Sequence, residues 1–175
     1  MTTNFLNMNV NAYTESKGGL TYLSWAYAWA EVLKVDPNAR YTVHEYDGLP
    51  LAYLKDETAM VKVSVEIEGV VKTCMLPVMD NRNRAIQNPN AFDTNKAIQR
   101  CLTKCISLWG LGLYLYQGTD LPETEREGIH AELDAKLAAC SSTDDLTALF
   151  KSLPEVLRRE VTDKFSQRKK ELTHA

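Results

Sequence analysis

Lys96, Arg100 and Lys104 recur at intervals of four, and no carboxylate shares their face. Residues four apart on a helix lie one above another, so this spacing predicts a single row of cations. Ordinary solvated helix faces mix both signs, because opposite charges four apart add stability. A one-sign row repels itself and gains most from an anionic partner; a merely solvated face is the bland alternative. Just upstream, the polar stretch from Met79 to Asn90 carries Arg82 and Arg84. Arginine forks grip phosphate through paired hydrogen bonds, whereas lysines act as point charges. Asn81, Asn83, Gln99 and Thr103 add neutral groups that position a nucleic-acid backbone without reading its sequence. The chemistry these residues offer is phosphate capture. Four neutralised phosphates on a single strand would give a salt slope of roughly −3.

Groups for bond-breaking chemistry do not converge in the same way. No G-x-S-x-G, Walker A or H-E-x-x-H pattern occurs. Glu15-Ser-Lys17 and Asp134-Ala-Lys136 match the letters of a nuclease acid-x-Lys pair, yet neither falls on an expected core strand. Asp80 and Asp93 flank the arginine loop and could hold a cation, but turn and capping roles suit them better. Cys74, Cys101, Cys105 and Cys140 form no C-x-x-C, and His44, His130 and His174 complete no ligand pattern with them. These thiols read as buried structural groups.

The elements that must position the cations follow from periodicity. The stretch Phe92–Tyr116 opens as a two-faced helix, with Ile98, Cys101, Leu102, Cys105 and Trp109 on its apolar side. Asp93 or Thr94 is expected to cap it, Gly110 and Gly112 to end it, and residues 113–116 to form a short strand or extended segment. An earlier helix is expected over 21–34, capped by Thr21 or Ser24 and stopped by Asp36-Pro37. Its apolar face would bury Trp25, Ala28, Trp29, Val32 and Leu33, leaving Tyr27 as the exposed aromatic able to meet a base. Between the helices, Ala39–Tyr46 and Leu51–Leu54 read as strands. Strict alternation from Thr58 to Glu68, a Glu68-Gly69 turn and Val70–Val78 predict an antiparallel hairpin.

The chain has 175 residues, 45% of them apolar, enough for one domain with a real core. Residues 1–19 are expected to be a flexible leader ending in the Lys17-Gly18-Gly19 turn, with the core over 20–121. The acidic, proline-containing stretch 122–128 reads as a linker. Beyond it only helix patterns remain, through Ile129, Leu133 and Leu137, an S-T-D-D capping box at Ser142, and Val161 with Phe165. Residues 129–175 thus form a small all-α appendage on an α+β core. No run is apolar enough for a membrane span and no secretion signal opens the chain, so residence in the cytoplasm is expected. Net charge is −3, but residues 81–119 hold five cations against Asp93 alone, while residues 121–175 hold nine cations and eleven anions. The basic character is local, which is what phosphate attraction requires.

Several stretches together resemble a known family. Leu23-Ser-Trp-Ala-Tyr-Ala-Trp29, Pro77-Val-Met-Asp-Asn-Arg-Asn-Arg-Ala-Ile86, Ile98-Gln-Arg-Cys-Leu-Thr-Lys104 and Gly110-Leu-Gly-Leu-Tyr-Leu-Tyr-Gln-Gly-Thr-Asp-Leu-Pro122 look like the phage Sak-type single-strand annealing proteins. These are similar in turn to Erf, Redβ and the eukaryotic Rad-fifty-two-type annealing core. The resemblance covers about Tyr22 to Pro122. It implies a curved antiparallel β-sheet packed against a long amphipathic helix, with protomers assembling into a ring or filament. It further implies ATP-independent annealing of single strands during DNA recombination, without catalysis, in the cytoplasm of a bacterial host. Arg82, Arg84, Lys96, Arg100 and Lys104 would line the ssDNA groove. No cofactor is implied, beyond a conceivable Mg²⁺ dependence of annealing. The helical tail would recruit a phage exonuclease or single-strand-binding protein. A small metal-dependent nuclease and a protein-interaction adaptor are the competing readings.

Overall fold

The computed structural model describes residues 4–17, 20–80, 82–117 and 122–174. It divides into two compact units, Met1–Glu123 and Thr124–Ala175. The first is α+β. Its sheet is built on β5 (Ala59–Ile67), whose residues alternate between buried and half-buried along the whole strand, as period-two patterning predicts. β6 (Val70–Pro77) pairs antiparallel along one edge of β5, from Ile67 opposite Val70 to Met60 opposite Pro77. β3 (Arg40–Val43) and the two-residue β4 (Ala52–Tyr53) also pair antiparallel with β5. The face formed by Val61, Val63, Val65 and Ile67 carries helix α2 (Ala91–Ser107).

Helix α2 buries Ala97, Cys101, Leu102, Cys105 and Ile106 in one core with the sheet. The Cys101 thiol donates to the Cys74 carbonyl at 3.4 Å, and Cys105 to the Lys72 carbonyl at 3.2 Å. Burial pushes both thiols up to about 12, so they pack as small apolar groups. Among the described residues no group of three or more His, Cys, Asp or Glu is placed to hold a metal. The helix cap is Asn90, whose side chain accepts from the Phe92 and Asp93 amides; Asp93 and Thr94 had been the expected caps. Residues 113–116 form a single helical turn, α3 (Leu113–Tyr116), where a strand or extended segment was expected.

The largest departure from expectation is the N-terminal stretch, which belongs to the core. Phe5 and Val10 are buried with Trp109, Leu111 and Tyr114. The Phe5 amide donates to the Trp109 carbonyl at 2.8 Å. The Tyr114 hydroxyl accepts from the Val10 amide at 3.1 Å and donates to Asn11 Oδ1 at 2.6 Å. Gly110 permits this approach: its φ is +102°, and a Cβ there would lie 2.6 Å from the Leu6 nitrogen. Leu6, Met8 and Val10 alternate with asparagines over too short a run to mark a core element, and Phe5 lies outside that alternation. Residues 20–23 differ too. They form β2 (Leu20–Leu23), paired with β1 (Thr14–Lys17), and helix α1 (Trp25–Val35) begins only after Ser24. The expected hinge glycines, Gly18 and Gly19, lie outside the described residues. Helix α1 buries Ala28, Glu31 and Val32, while Trp25 and Leu33 stay exposed and Trp29 is half-buried, its ring edge-on to Tyr41. The small Ala28 and branched Val32 make the contact stripe, so the bulky ends of the expected face fall beyond it.

The second unit contains helices α4 (Glu123–Ala139), α5 (Thr143–Ser152) and α6 (Glu155–His174). Helix α4 begins within the stretch expected to be a linker. Leu133, Leu137, Cys140, Leu146, Val161 and Phe165 form its core. The capping box is present, with the Ser142 hydroxyl accepting from the Asp145 amide and the Asp145 carboxylate accepting from the Ser142 amide, each at 3.1 Å. Arg168 donates to the carbonyls of Ala138 and Cys140, satisfying the end of α4. No helix among the described residues is long and apolar enough to cross a membrane.

A core role for the N-terminal stretch has a measurable consequence. Phe5→Ala should lower unfolding free energy by about 3–5 kcal/mol in denaturant titration, whereas the neighbouring exposed Leu6→Ala should change it by less than about 1 kcal/mol. Equal, small effects at both positions would return the stretch to a flexible leader.

Candidate nucleic-acid interface

Three local structures create the candidate interface: the loop after β6, the exposed edge of α2 and the β1–β2 hairpin. In the loop, Asp80 acts as a staple. Its carboxylate accepts from the Arg82 amide at 2.8 Å, the Arg84 amide at 2.9 Å and Arg84 Nε at 2.9 Å. Asn83 supplies the tight turn with φ of +58°, a left-handed conformation that asparagine tolerates well. The Arg84 amide is the main reason the Asp80 carboxyl falls from 3.8 to about 2. This is the turn role expected of Asp80. It also means that Arg84 is held in an ion pair at 2.8 Å, while Arg82 is exposed with no carboxylate partner among the described residues. Asn81, expected as a neutral donor, lies outside the described residues.

Helix α2 brings its cations beside this loop. Arg100 donates to Asn83 Oδ1 at 3.2 Å, which joins loop and helix directly. The same guanidinium lies 5.1 Å from the ring centroid of Tyr22 on β2, a cation–π distance. Tyr116 is 55% exposed, yet burial around its hydroxyl pushes the group up to about 12, with Arg100 opposing the rise. Lys96 and Lys104 continue the row on either side of Arg100, each one turn or about 6 Å away along the axis. Lys96 Nζ sits 5.1 Å from the Phe92 ring centroid, and Lys104 is exposed. Gln99 is half-buried beside the row.

Two expected members do not join it. Thr103 is 5% exposed, and its hydroxyl donates to the Gln99 carbonyl at 3.1 Å. Ser107, further along the same helix, is buried as well. Tyr27 is half-buried, stacked on Tyr13 with ring centroids 3.5 Å apart. Burial and the Glu31 carboxylate raise its hydroxyl to about 12. A ring so covered is a packing element and does not stand as an open platform. The aromatic residues beside the cations are Tyr22, Phe92 and Tyr116. Sequence reasoning missed them because Tyr22 sits in a strand read as helix and Phe92 was treated only as the start of a helical stretch. The spacing of Phe92, Lys96, Arg100 and Lys104, all four apart, was nevertheless visible.

Other surface features do not compete chemically. Lys72 is occupied at the end of α2, donating to the Leu108 carbonyl at 2.8 Å and lying 4.6 Å from the Trp109 ring centroid. A shallow depression of about 240 Å³ lies on the opposite face of the sheet, lined by Arg40, Thr42, Ser64, Glu66 and Val71. Its Ser64 hydroxyl is engaged by both His44 Nε2 and Thr73 Oγ1 at 2.7 Å, so no free nucleophile is offered there.

A family comparison now bears on this arrangement. The model of the Sak Single Strand Annealing Protein family matches residues 2–143. The chain belongs to that family. The Sak match reaches further than residues 22–122, taking in the N-terminal stretch that packs around Trp109 and the whole of α4. Membership supports a role in single-strand annealing and recombination. No curated protein and no solved structure matches the chain.

The Asp80 staple gives a direct test of the loop. Because the carboxyl is depressed from 3.8 to about 2, its hold on the loop is complete above about pH 4 and is lost as pH falls through 2. Asp80→Ala should accelerate hydrogen exchange of the Arg82 and Arg84 amides about tenfold at neutral pH. Unchanged exchange would mean that the loop is held by other contacts.

Proposed function

We propose that this protein binds single-stranded DNA along the row Lys96, Arg100 and Lys104, with Arg82 extending the row from the loop, and anneals complementary strands without ATP. The observation that carries this reading is the Arg100–Asn83 hydrogen bond, which makes the loop and the one-sign helix edge a continuous surface. Asn83 and Gln99 are the neutral groups assigned to backbone positioning. Arg84 is assigned to shaping the loop, since its charge is already matched by Asp80.

The work is electrostatic and geometric. Phosphates held on cations release their counterions, which supplies affinity independent of sequence. Steps of about 6 Å between successive cations suit an extended strand, whose phosphates repeat at a similar interval. Four such contacts make a weak site for one protomer, so we assign useful affinity to many protomers side by side, as a ring or filament of copies coating one strand. Two coated strands then meet with their phosphate repulsion already neutralised and their pairing edges free. No covalent step is required. The reading places this activity in the cytoplasm of a bacterial host. It assigns α5 and α6, which lie almost wholly beyond the family match, to recruiting a phage exonuclease or single-strand-binding protein.

Binding titrations of labelled ssDNA test the assignment. The logarithm of affinity should fall with the logarithm of salt at a slope of roughly −3 per protomer, and Arg100→Ala with Lys104→Ala should reduce the slope to roughly −1.5. Lys104→Ala should leave thermal unfolding unchanged, whereas Arg100→Ala, which removes the hydrogen bond to Asn83, should lower the midpoint slightly without abolishing the cooperative transition. Wild-type slope and affinity in the double variant would remove the row from the groove. Incubation of the same strands with Mg²⁺ should yield duplex at full length; shortened strands would identify a nuclease.

A further inference from the structure

Phe92 is 68% exposed, the most exposed of the large apolar side chains among the described residues. It is also the first member of the four-spaced row that continues through Lys96, Arg100 and Lys104, an edge about 18 Å long. Leaving a phenylalanine in water forgoes its burial free energy, and a helix N-terminal turn has no structural need of one: the Asn90 side chain already caps the amides of Phe92 and Asp93. The ring is held by Lys96, whose ammonium lies 5.1 Å from its centroid, and it keeps most of its surface open.

We propose that Phe92 is the base-stacking platform of this surface, and that it makes the site select single strands over duplex. The inference rests on the strand-binding reading of the cation row and adds to it the element that senses whether bases are paired. Base–aromatic stacking is tolerant of sequence, because every base has a π face. A base laid on the ring leaves its Watson–Crick edge uncovered, so holding the strand does not block its pairing. The Lys96 ammonium beside the ring is positioned to meet the adjoining phosphate. In a duplex both faces of every base are already stacked on neighbours, and the ring has nothing to receive. Cations alone attract duplex as well as single strands. The ring therefore contributes affinity to the substrate that the annealed product cannot use, and formation of duplex weakens the hold on it.

The test compares wild-type protein with Phe92→Ala, Phe92→Tyr and Lys104→Ala on three ligands of one length: an ordinary single strand, an abasic single strand and a duplex. Phe92→Ala should weaken binding of the ordinary strand roughly five- to 150-fold. It should leave the abasic strand, the duplex and the salt slope unchanged. Phe92→Tyr, which keeps the π face, should bind as wild type does. Lys104→Ala should weaken all three ligands. If Phe92→Ala binds the ordinary strand as tightly as wild type while Lys104→Ala does not, stacking is overturned and the cation row stands. If Phe92→Ala weakens the abasic strand equally, the ring acts only by orienting Lys96, and stacking is again overturned. If neither variant affects any ligand, the strand-binding reading itself fails. Phe92 is too exposed for its truncation to unfold the chain, and a melting curve for each variant checks this.

Discussion

Everything at the candidate interface depends on the burial of one side of α2 against the inner face of β5 and β6. Val61, Val63, Val65 and Ile67 leave no freedom in that contact, because a one-residue slip in strand register would turn all four outward. Once Cys101, Leu102, Cys105 and Ile106 fill this face, the azimuth of α2 is fixed. Lys96, Arg100 and Lys104 then emerge at the helix edge beside the loop that leaves β6. The sheet–helix seam thus dictates where the charge goes, although no charged group takes part in it.

Around that seam, short polar contacts convert neighbouring segments into a surface. Asp80 shapes the loop by accepting from two amides and one guanidinium, which turns Asn83 towards Arg100. The β1–β2 hairpin brings Tyr22 under the same guanidinium. Arg100 is therefore shared by a helix, a loop and a strand, and its planar fork suits it for holding several partners at once. The N-terminal stretch closes the far end of α2 through Phe5, Val10 and the Tyr114 hydroxyl. Thr103 and Ser107 are buried within α2, so its open polar edge runs over the first three turns and Lys104.

Legibility in the sequence followed the strength of local pattern. The β5–β6 hairpin, the apolar face of α2, the Ser142 capping box and the Val161–Phe165 face were all readable, since each rests on a period or a cap that local physics enforces. The cation row was readable because charge of one sign at four-residue spacing is visible without tertiary information. The β1–β2 hairpin was not, since four-residue strands beside a tryptophan-rich helix carry too few repeats to show a period. Nor was the core role of Phe5 and Val10, which depends on Gly110 admitting the backbone at Leu6 over a hundred residues away in sequence. Tyr27 and Thr103 are covered in the fold for a related reason: helical projection gives an azimuth but does not say which other segment will cover it. Tyr13 and the enclosed end of α2 supplied those covers. Single-strand annealing came from the combined motifs, which the Sak family match supports over residues 2–143.

The strand-binding wall proposed for this protein is the loop after β6 together with the open edge of α2. Hydrogen–deuterium exchange with and without a saturating single-stranded oligonucleotide tests it most directly, because it reports contact position by position without altering the protein. Exchange should slow across residues 82–84 and the first turns of α2, with no change along residues 40–44 in and beside β3. Protection confined to residues 40–44 and the neighbouring part of β5, with the loop and α2 unaffected, would contradict it.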